Sequence, residues 1–411
     1  MRSILKQSSY VLFAQVLNRI ISFFYIIYLA RILEVSDFGL YTVALAYFAI
    51  ISGIADFGFN RFLMREVARD KSVISQLLFN IVMLRLTLTS VFFAVFSLIL
   101  YFLDPDKVRV SLILLATIAI LPQAVAFTFD AVFAALQKLQ FSAIALFASS
   151  LTTALTGFVL VRGGFGPTGA ITALIVGQII YAVFLILLFF NKQKLVWSVI
   201  NFNAIKQAVA GSLPYGLLGV LGLLYFRIDT VMLAYLKGSF ETGIYGAAYK
   251  FLEAVIFIPS VLSMALFPVL ARVHETSPQS LKKIYFKSLK IMLLISLLIL
   301  FGYLFILPVI ISSVLPKYLP SVTAIRILSL SIPFMFIHVP AVTVLLSTEK
   351  FLKQVLILSA GMVVFNIGAN LAFIPKFGFI GASVVTVASE VLSFIIFFIL
   401  VKKKVLDQAK G

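Results

Sequence analysis

The chain has 411 residues, of which 62% are apolar and 12% charged, a composition that fits a polytopic membrane protein and not a soluble core. Its formal net charge of +18 therefore has no folded soluble domain on which nucleic-acid binding could rest. With no cysteine, disulfides, thiol catalysis and thiolate metal sites are excluded.

A bilayer core takes about 20 apolar residues per helix. Twelve such runs follow one another along the chain: Ser9–Leu29, Phe38–Ile54, Leu77–Leu103, Val110–Ala134, Phe141–Val161, Thr168–Phe190, Val209–Leu236, Thr242–Leu270, Ser288–Val309, Val322–Leu346, Leu352–Ile374 and Phe379–Val401. They predict an all-α, polytopic protein of twelve transmembrane helices. The first run is too long, and too plainly one of a series, to be a cleaved signal peptide. Pro122, Pro259, Pro333 and Pro340 are expected to kink or break their helices.

Twelve helices put both termini on one side of the membrane. The loops of that side carry 21 lysines and arginines, from Arg2 and Lys6, through Arg61, Arg65, Arg69 and Lys71, to Lys402, Lys403, Lys404 and Lys410. The other side carries 7: Arg31, Lys107, Arg109, Arg162, Lys237, Lys317 and Lys376. Positive charge marks the cytoplasm, so both termini are expected there, in a multi-pass protein of the cell membrane. Most of the net charge is then topology and contact with anionic lipid.

The chain also repeats itself. With a shift of about two hundred residues, Leu29, Ala30, Gly39, Tyr41 and Ala44 fall on Leu233, Ala234, Gly243, Tyr245 and Ala248, and Asp37 falls on Glu241. With a shift of about 212, Phe165, Gly166, Gly169 and Ala170 fall on Phe377, Gly378, Gly381 and Ala382; Gln178 lands on Glu390 and Lys138 on Lys350. Residues 1–195 and 205–411 are therefore expected to be two six-helix repeats around a central cavity, related by an axis along the membrane normal, with helices one and seven bordering the cavity. Asn191–Gln207, with the only tryptophan, Trp197, is the expected cytoplasmic linker. Two like bundles facing each other describe a transporter's architecture, although fold alone names no cargo.

Several motifs carry a resemblance to a known family. In the second half these are Ser212-Leu213-Pro214, Asp229-Thr230-Val231-Met232-Leu233, Gly243-Ile244-Tyr245-Gly246-Ala247-Ala248-Tyr249-Lys250 and Phe267-Pro268. In the first half they are Leu29-Ala30-Arg31-Ile32-Leu33, Phe38-Gly39-Leu40-Tyr41 and Asp56-Phe57-Gly58 with Arg65-Glu66. In their order they resemble the polysaccharide (Wzx-type) flippases of the multidrug/oligosaccharidyl-lipid/polysaccharide exporter superfamily. The resemblance spans nearly the whole chain. It implies flipping of a polyprenyl-pyrophosphate-linked oligosaccharide from the cytoplasmic to the outer leaflet, without a cofactor. It also implies a polysaccharide polymerase and glycosyltransferases as partners. The peptidoglycan-precursor flippases of the same superfamily usually carry two further helices, which argues against their cargo here.

The chemistry of such a cargo fits the charges inside the helices. A pyrophosphate with sugars cannot cross hydrocarbon, and its carrier needs guanidinium or ammonium donors in a wet cavity. Arg19, Arg85, Arg227, Lys250 and Arg326 sit inside predicted helices and are the candidate cargo-binding cations. Asp229, Glu253 and Glu390 are the candidate cavity or ion-coupling acids, with Asp56 and Asp130 nearer the cytoplasmic ends. Asp229 and Glu390 lack a basic partner three or four residues away on their own helix, which singles them out for H+ or Na+.

Each has a plainer explanation beside it. Lys250 and Glu253, three residues apart, are placed to pair with each other. Arg326 and Arg85 lie where a long side chain can snorkel to the interface. Arg227 and Lys250 stand about ten and twelve residues from the turn at Lys237-Gly238, hence at nearly equal depth given ~1.5 Å of rise per residue. Arg19, near the middle of the first helix, is the hardest to explain away. His338 is a candidate proton relay, though capping a carbonyl freed by Pro340 explains it more simply.

Two signals are discounted. Asp104-Pro105-Asp106 spells the D-x-D of metal-dependent glycosyltransferases, but a proline turn accounts for it. Gly53-Ile54-Ala55-Asp56-Phe57-Gly58 with Arg61 and Arg65 is loosely similar to a loop of the major facilitator transporters, yet Phe57 stands where their arginine belongs. An ion-coupled exporter of drugs or other small solutes is the main alternative. A membrane-bound glycosyltransferase or O-acetylase comes last, since the loops are short and only His274 and His338 are present.

Overall fold

The structure is a computed structural model; it describes residues 2–191 and 200–407, with the side chains of residues 2–15, 274–276 and 349 outside that description. The expected linker residues Lys192, Lys194 and Trp197, the side chains of Lys6 and His274, and Lys410 lie outside the described residues. Everything described is helix or short connection, and no strand occurs among the described residues.

Two compact units make up the chain, Met1–Arg227 and Ile228–Gly411. The first contains α1 (Arg2–Ile32), α2 (Val35–Asp56), α3 (Phe59–Arg69), α4 (Ile74–Leu103), α5 (Lys107–Ile118), α6 (Ile120–Ala135), α7 (Leu139–Leu160) and α8 (Gly166–Phe190). The division falls within α9 (Phe202–Leu236). The second unit continues with α10 (Ser239–Thr276), α11 (Pro278–Phe301), α12 (Leu307–Val314), α13 (Ser321–Ser329), α14 (Ile332–Leu346) and α15 (Leu352–Val401).

Among the described residues eight helical stretches are long and apolar enough to cross a membrane, nine when α13 and α14, bent by 42°, are one span. Two of them are too long for one crossing. Leu139–Phe190 has 52 residues and Leu352–Leu406 has 55, against about 20 needed. Each is a hairpin. In the first, Ser149 Oγ donates to Gly177 O at 2.8 Å, so α7 runs back along α8. In the second, Asn366 Nδ2 donates to Ser389 Oγ at 3.2 Å across the two legs of α15. Counted by legs, and with α1, the membrane segments are the twelve read from the sequence.

The two hairpins turn on the same residue type in the same conformation. Gly166 has φ 52° and ψ −139°, and Gly378 has φ 57° and ψ −136°. Only glycine adopts that region without steric penalty. These are the two glycines that the 212-residue shift superimposes. At Gly378 the turn is also clasped from outside: Glu241, in the first turn of α10, accepts a hydrogen bond from Phe379 N at 2.9 Å. A Cβ on Gly378 would collide with that carboxylate. In the first unit Pro167 follows Gly166 and has no N–H to offer, so Asp37 cannot make the equivalent bond.

The prolines act in two ways. Helix breaks precede Pro122, at Ala119 between α5 and α6, and Pro333, between α13 and α14. Pro259 and Pro340 instead lie inside continuous helices, so of the expected kink or break, the break does not occur there. Hydroxyls beside them bond back to their own helix: Ser260 Oγ donates to Ile256 O at 3.1 Å and Thr343 Oγ1 to Val339 O at 2.7 Å.

Within the first unit α3 is an amphipathic arm. Phe59, Phe62, Leu63 and Val67 are buried, while Arg61, Arg65 and Arg69, at four-residue spacing, line its exposed side. After it, Asp70 caps a short 3-10 turn by accepting from Ser72 N at 2.8 Å, and that bond holds its carboxyl below the usual carboxylate range. The early part of α9 belongs to the same unit. Arg61 stacks over Tyr215 at 5.1 Å, and a Cβ on Gly216 would strike the Phe57 carbonyl, where the chain leaves α2 with φ 41°. Small residues thus let backbones approach where burial of apolar surface gives no driving force in lipid.

Candidate functional site

Three polar centres lie inside the apolar helices. The first is built on Arg85 of α4, which is 1% exposed. Its guanidinium pairs with Asp56 at the end of α2, donates to Asn60 Oδ1 of α3 at 3.1 Å, and donates to Thr128 Oγ1 of α6 at 2.8 Å. The Phe59 ring lies 5.8 Å from its Cζ. Arg85 therefore does not snorkel to the interface, as its place in the helix had allowed; it ties four helices together. Beside it a cavity of about 10 Å³, room for about one water, is lined by Ser52, Asp56, Arg85 and Gln123 among others. Ser52 Oγ and Gln123 Oε1 close its wall at 2.5 Å.

The second centre surrounds Asp229 on α9, 1% exposed. One carboxylate oxygen accepts from Thr230 N at 2.7 Å. The other accepts the hydroxyl of Tyr245 on α10, with Thr386 Oγ1 of α15 at 3.4 Å. Tyr245 and Thr386 are themselves 3.2 Å apart. From Thr386 the buried face of α15 continues through Ser389, Glu390 (4% exposed) and Ser393. Asn366 bonds Ser389, and Asn370 Nδ2 donates to Asn366 Oδ1 at 2.9 Å. At the far end Ser393 Oγ meets His338 Nδ1 at 3.0 Å, and the imidazole lies 4.9 Å from the Phe397 ring. His338 thus partners a serine of the neighbouring helix and does not cap a carbonyl freed by Pro340.

The third is the pair Lys250–Glu253, at 2.9 Å on one face of α10, as the three-residue spacing predicts. Arg227, two residues from Asp229, is half-buried. Arg19 is exposed on α1, next to Asn18, which Ser150 of α7 contacts. Arg326 is exposed in the last turn of α13.

Reading charges alone missed the hydroxyl and amide residues. Tyr245 and Thr386 carry no charge, yet they surround Asp229, and Asn366 and Asn370 extend the polar contacts to Ser389. A signal was present: Thr386, Ser389, Glu390 and Ser393 recur at three- and four-residue spacing, the mark of one polar helix face. The repeat adds contrast. The shift that puts Tyr41 on Tyr245 puts Tyr25 on Asp229, and Tyr25 and Tyr41 are buried neighbours in the first unit. A tyrosine pair in one unit thus corresponds to an acid and a tyrosine in the other.

The discounted D-x-D is a turn. Asp104 Oδ1 accepts from Asp106 N at 2.9 Å and holds Arg109 at 2.5 Å, and Asp106 caps α5 through Arg109 N at 3.0 Å. Both aspartates are thereby engaged with protein. Among the described residues no group of three or more His, Asp or Glu side chains is placed to hold a metal.

Comparison with known proteins gives these centres a family. A model of the family described as polysaccharide biosynthesis protein matches residues 4–274, and the MatE model matches residues 214–372. No curated protein matches the chain. Among solved structures, an inward-facing multidrug resistance MATE family transporter of the MOP superfamily is 16% identical over 96% of this chain and 95% of its own, with a TM-score of 0.76. The lipid II flippase MurJ, in an inward closed conformation, is 14% identical over 95% of this chain and 87% of its own, also with a TM-score of 0.76. A MOP superfamily transporter from Pyrococcus furiosus, described as having a binding pocket of reverse polarity, is 17% identical over 99% and 96%, with a TM-score of 0.67. Identities this low speak for the fold alone, and the fold is the one these transporters and the flippase share. The chain belongs to the polysaccharide biosynthesis protein family, and is a multi-pass membrane protein with the twelve-helix fold of the MOP-superfamily transporters.

Proposed function

We propose that the protein is a flippase of the cell membrane that moves a polyprenyl-pyrophosphate-linked oligosaccharide from the cytoplasmic to the outer leaflet by alternating access. The observation that carries this reading is the polysaccharide biosynthesis model over residues 4–274. The chemistry of the helix interiors supports it, because guanidinium groups suit pyrophosphate oxygens. Asp56 engages Arg85 and Glu253 engages Lys250, and Arg227 on α9 and Arg19 on α1 are the proposed donors to the cargo. Arg326, at the end of α13, is a peripheral candidate. Both termini face the cytoplasm in this reading, and a polysaccharide polymerase and glycosyltransferases are the partners. The two six-helix repeats, 1–195 and 205–411, belong to the same proposal and draw support from the matched turns at Gly166 and Gly378.

The direct test is to purify the full chain from its native membrane and identify the bound lipid by mass spectrometry. A polyprenyl-pyrophosphate sugar is the expected finding. Only bulk phospholipid, together with transport of small cations by proteoliposomes, would replace the flippase by an exporter. That second reading has its own support in the MatE match over residues 214–372.

The same proposal assigns coupling to H+ or Na+ to Asp229, with Glu390 one turn beyond Thr386. Buried carboxylates among hydroxyls suit either ion. Asp229→Asn combined with Glu390→Gln is expected to leave transport in proteoliposomes insensitive to an imposed H+ or Na+ gradient. If the double variant responds to the gradient as the parent does, these residues do not couple.

A further inference from the structure

The first unit contains another acid that neither cargo binding nor the Arg85 network uses. Asp130 lies on α6, little more than a turn before its end at Ala135. Ser142 of α7 and Tyr181 of α8 face its carboxyl. Its Oδ1 is buried and has no hydrogen-bond partner. The same holds for Ser142 Oγ. Asp130 thus faces two hydroxyls, and a buried carboxyl with no cation to pair with gives up its charge by holding a proton. Structures rarely leave such groups bare unless a proton, water or ion completes them.

Among the described residues no cation on the packed helices pairs with Asp130. Helices α2, α3, α4, α5, α7 and α8 all pack on α6. From α4, Arg85 reaches Thr128 and the Ala124 carbonyl, on a different side of α6, and is taken by Asp56 of α2. From α5, Arg109 is held by Asp104 and Asp106. From α3, Arg61, Arg65 and Arg69 are exposed, with Glu66 holding Arg65. Among the described residues Lys138, in the turn before α7, forms no ion pair with Asp130; α7 brings Ser142 to its carboxyl and α8 brings Tyr181.

We propose that Asp130 is an exchangeable proton site of the first unit, its carboxyl protonated in the conformation seen here and deprotonated at another stage of the cycle. The protonated carboxyl carries no charge that a cation would have to balance. Its O–H can point to Ser142 Oγ, while the Tyr181 hydroxyl donates to the remaining oxygen. On release the O–H bond breaks and the proton passes to water. The Ser142 and Tyr181 hydroxyls can then both donate to the carboxylate left behind, so each state has its own hydrogen bonds. The site's use in driving transport rests on the flippase reading; its protonation does not.

Infrared difference spectroscopy of the full chain in nanodiscs, titrated with pH and without cargo, tests this. A C=O band of a protonated carboxyl should be present, should disappear as pH rises, and should be missing in Asp130→Asn. Tyr181→Phe keeps the acid and loses one donor to the carboxylate, so the same band should persist to higher pH. That variant also keeps the test decisive should Asp130→Asn not fold. A titrating band unchanged in Asp130→Asn, or unmoved in Tyr181→Phe, overturns the proposal. Loss of the band on adding Na+ at fixed pH overturns it too, replacing the proton by a metal cation. Because no cargo enters the experiment, its failure leaves the flippase reading standing, and failure to find a glycan lipid leaves the spectrum standing.

Discussion

Arg19→Ala combined with Arg227→Ala is expected to abolish surface glycan in a strain lacking its own flippase, with the variant still inserted and at parental level. A guanidinium in the apolar part of a membrane helix costs several kcal/mol unless it faces protein or water, so two retained there answer to a ligand or to a structural partner. A pyrophosphate offers paired oxygens that match the bidentate fork of arginine. Arg227→Lys keeps the charge and loses the fork. Since a hydrogen bond to a charged group contributes about 1.5–3 kcal/mol, roughly ten- to hundredfold weaker binding and partial export are expected. Near-normal export by the double alanine variant would make these cations structural and end the phosphate-handling mechanism.

Asp56→Ala should be among the most destabilising single changes in the chain. It strands the Arg85 guanidinium, 1% exposed, among apolar helices, and breaking a buried pair from one side costs about 3–5 kcal/mol. Arg85→Met should cost less, because the Asp56 side chain is 26% exposed and can hydrate once abandoned. The double variant should be more stable than Asp56→Ala alone. Thermal unfolding of the three proteins in one detergent reads the order directly. If Arg85→Met unfolds at the parental temperature yet exports no glycan, Arg85 serves the cargo after all and the four-helix network is incidental.

The sequence reads best where one dimension carries the information. Apolar runs mark the membrane legs, because a bilayer has one thickness and every backbone polar group must be met within the helix. The shared shift of Gly166 and Gly378 likewise located two turns, because only glycine tolerates their backbone angles. Partnerships are a different matter. Asp56 and Arg85 are 29 residues apart on different helices, and no periodicity joins them. Asp229 stood out by its charge, but Tyr245 and Thr386 lie 16 and 157 residues away, and each alone resembles ordinary helix content. His338 was misassigned for the same reason. The local proline offered an explanation, whereas the actual partner, Ser393, is 55 residues on.

The glycine-hinged hairpins bear on the order in which the chain assembles during synthesis. A turn of two or three residues brings its legs together at the shortest possible sequence separation, and local contacts form fastest. The α7–α8 pair can zip from Gly166 as soon as α8 has left the ribosome, before any residue of the second unit exists. The Gly378 hairpin has no such lead. Its clasp, Glu241, is translated more than a hundred residues earlier and must wait, an unpaired carboxylate, until Phe379 N arrives. The second unit's clasp therefore closes late, only after the last hairpin has been made.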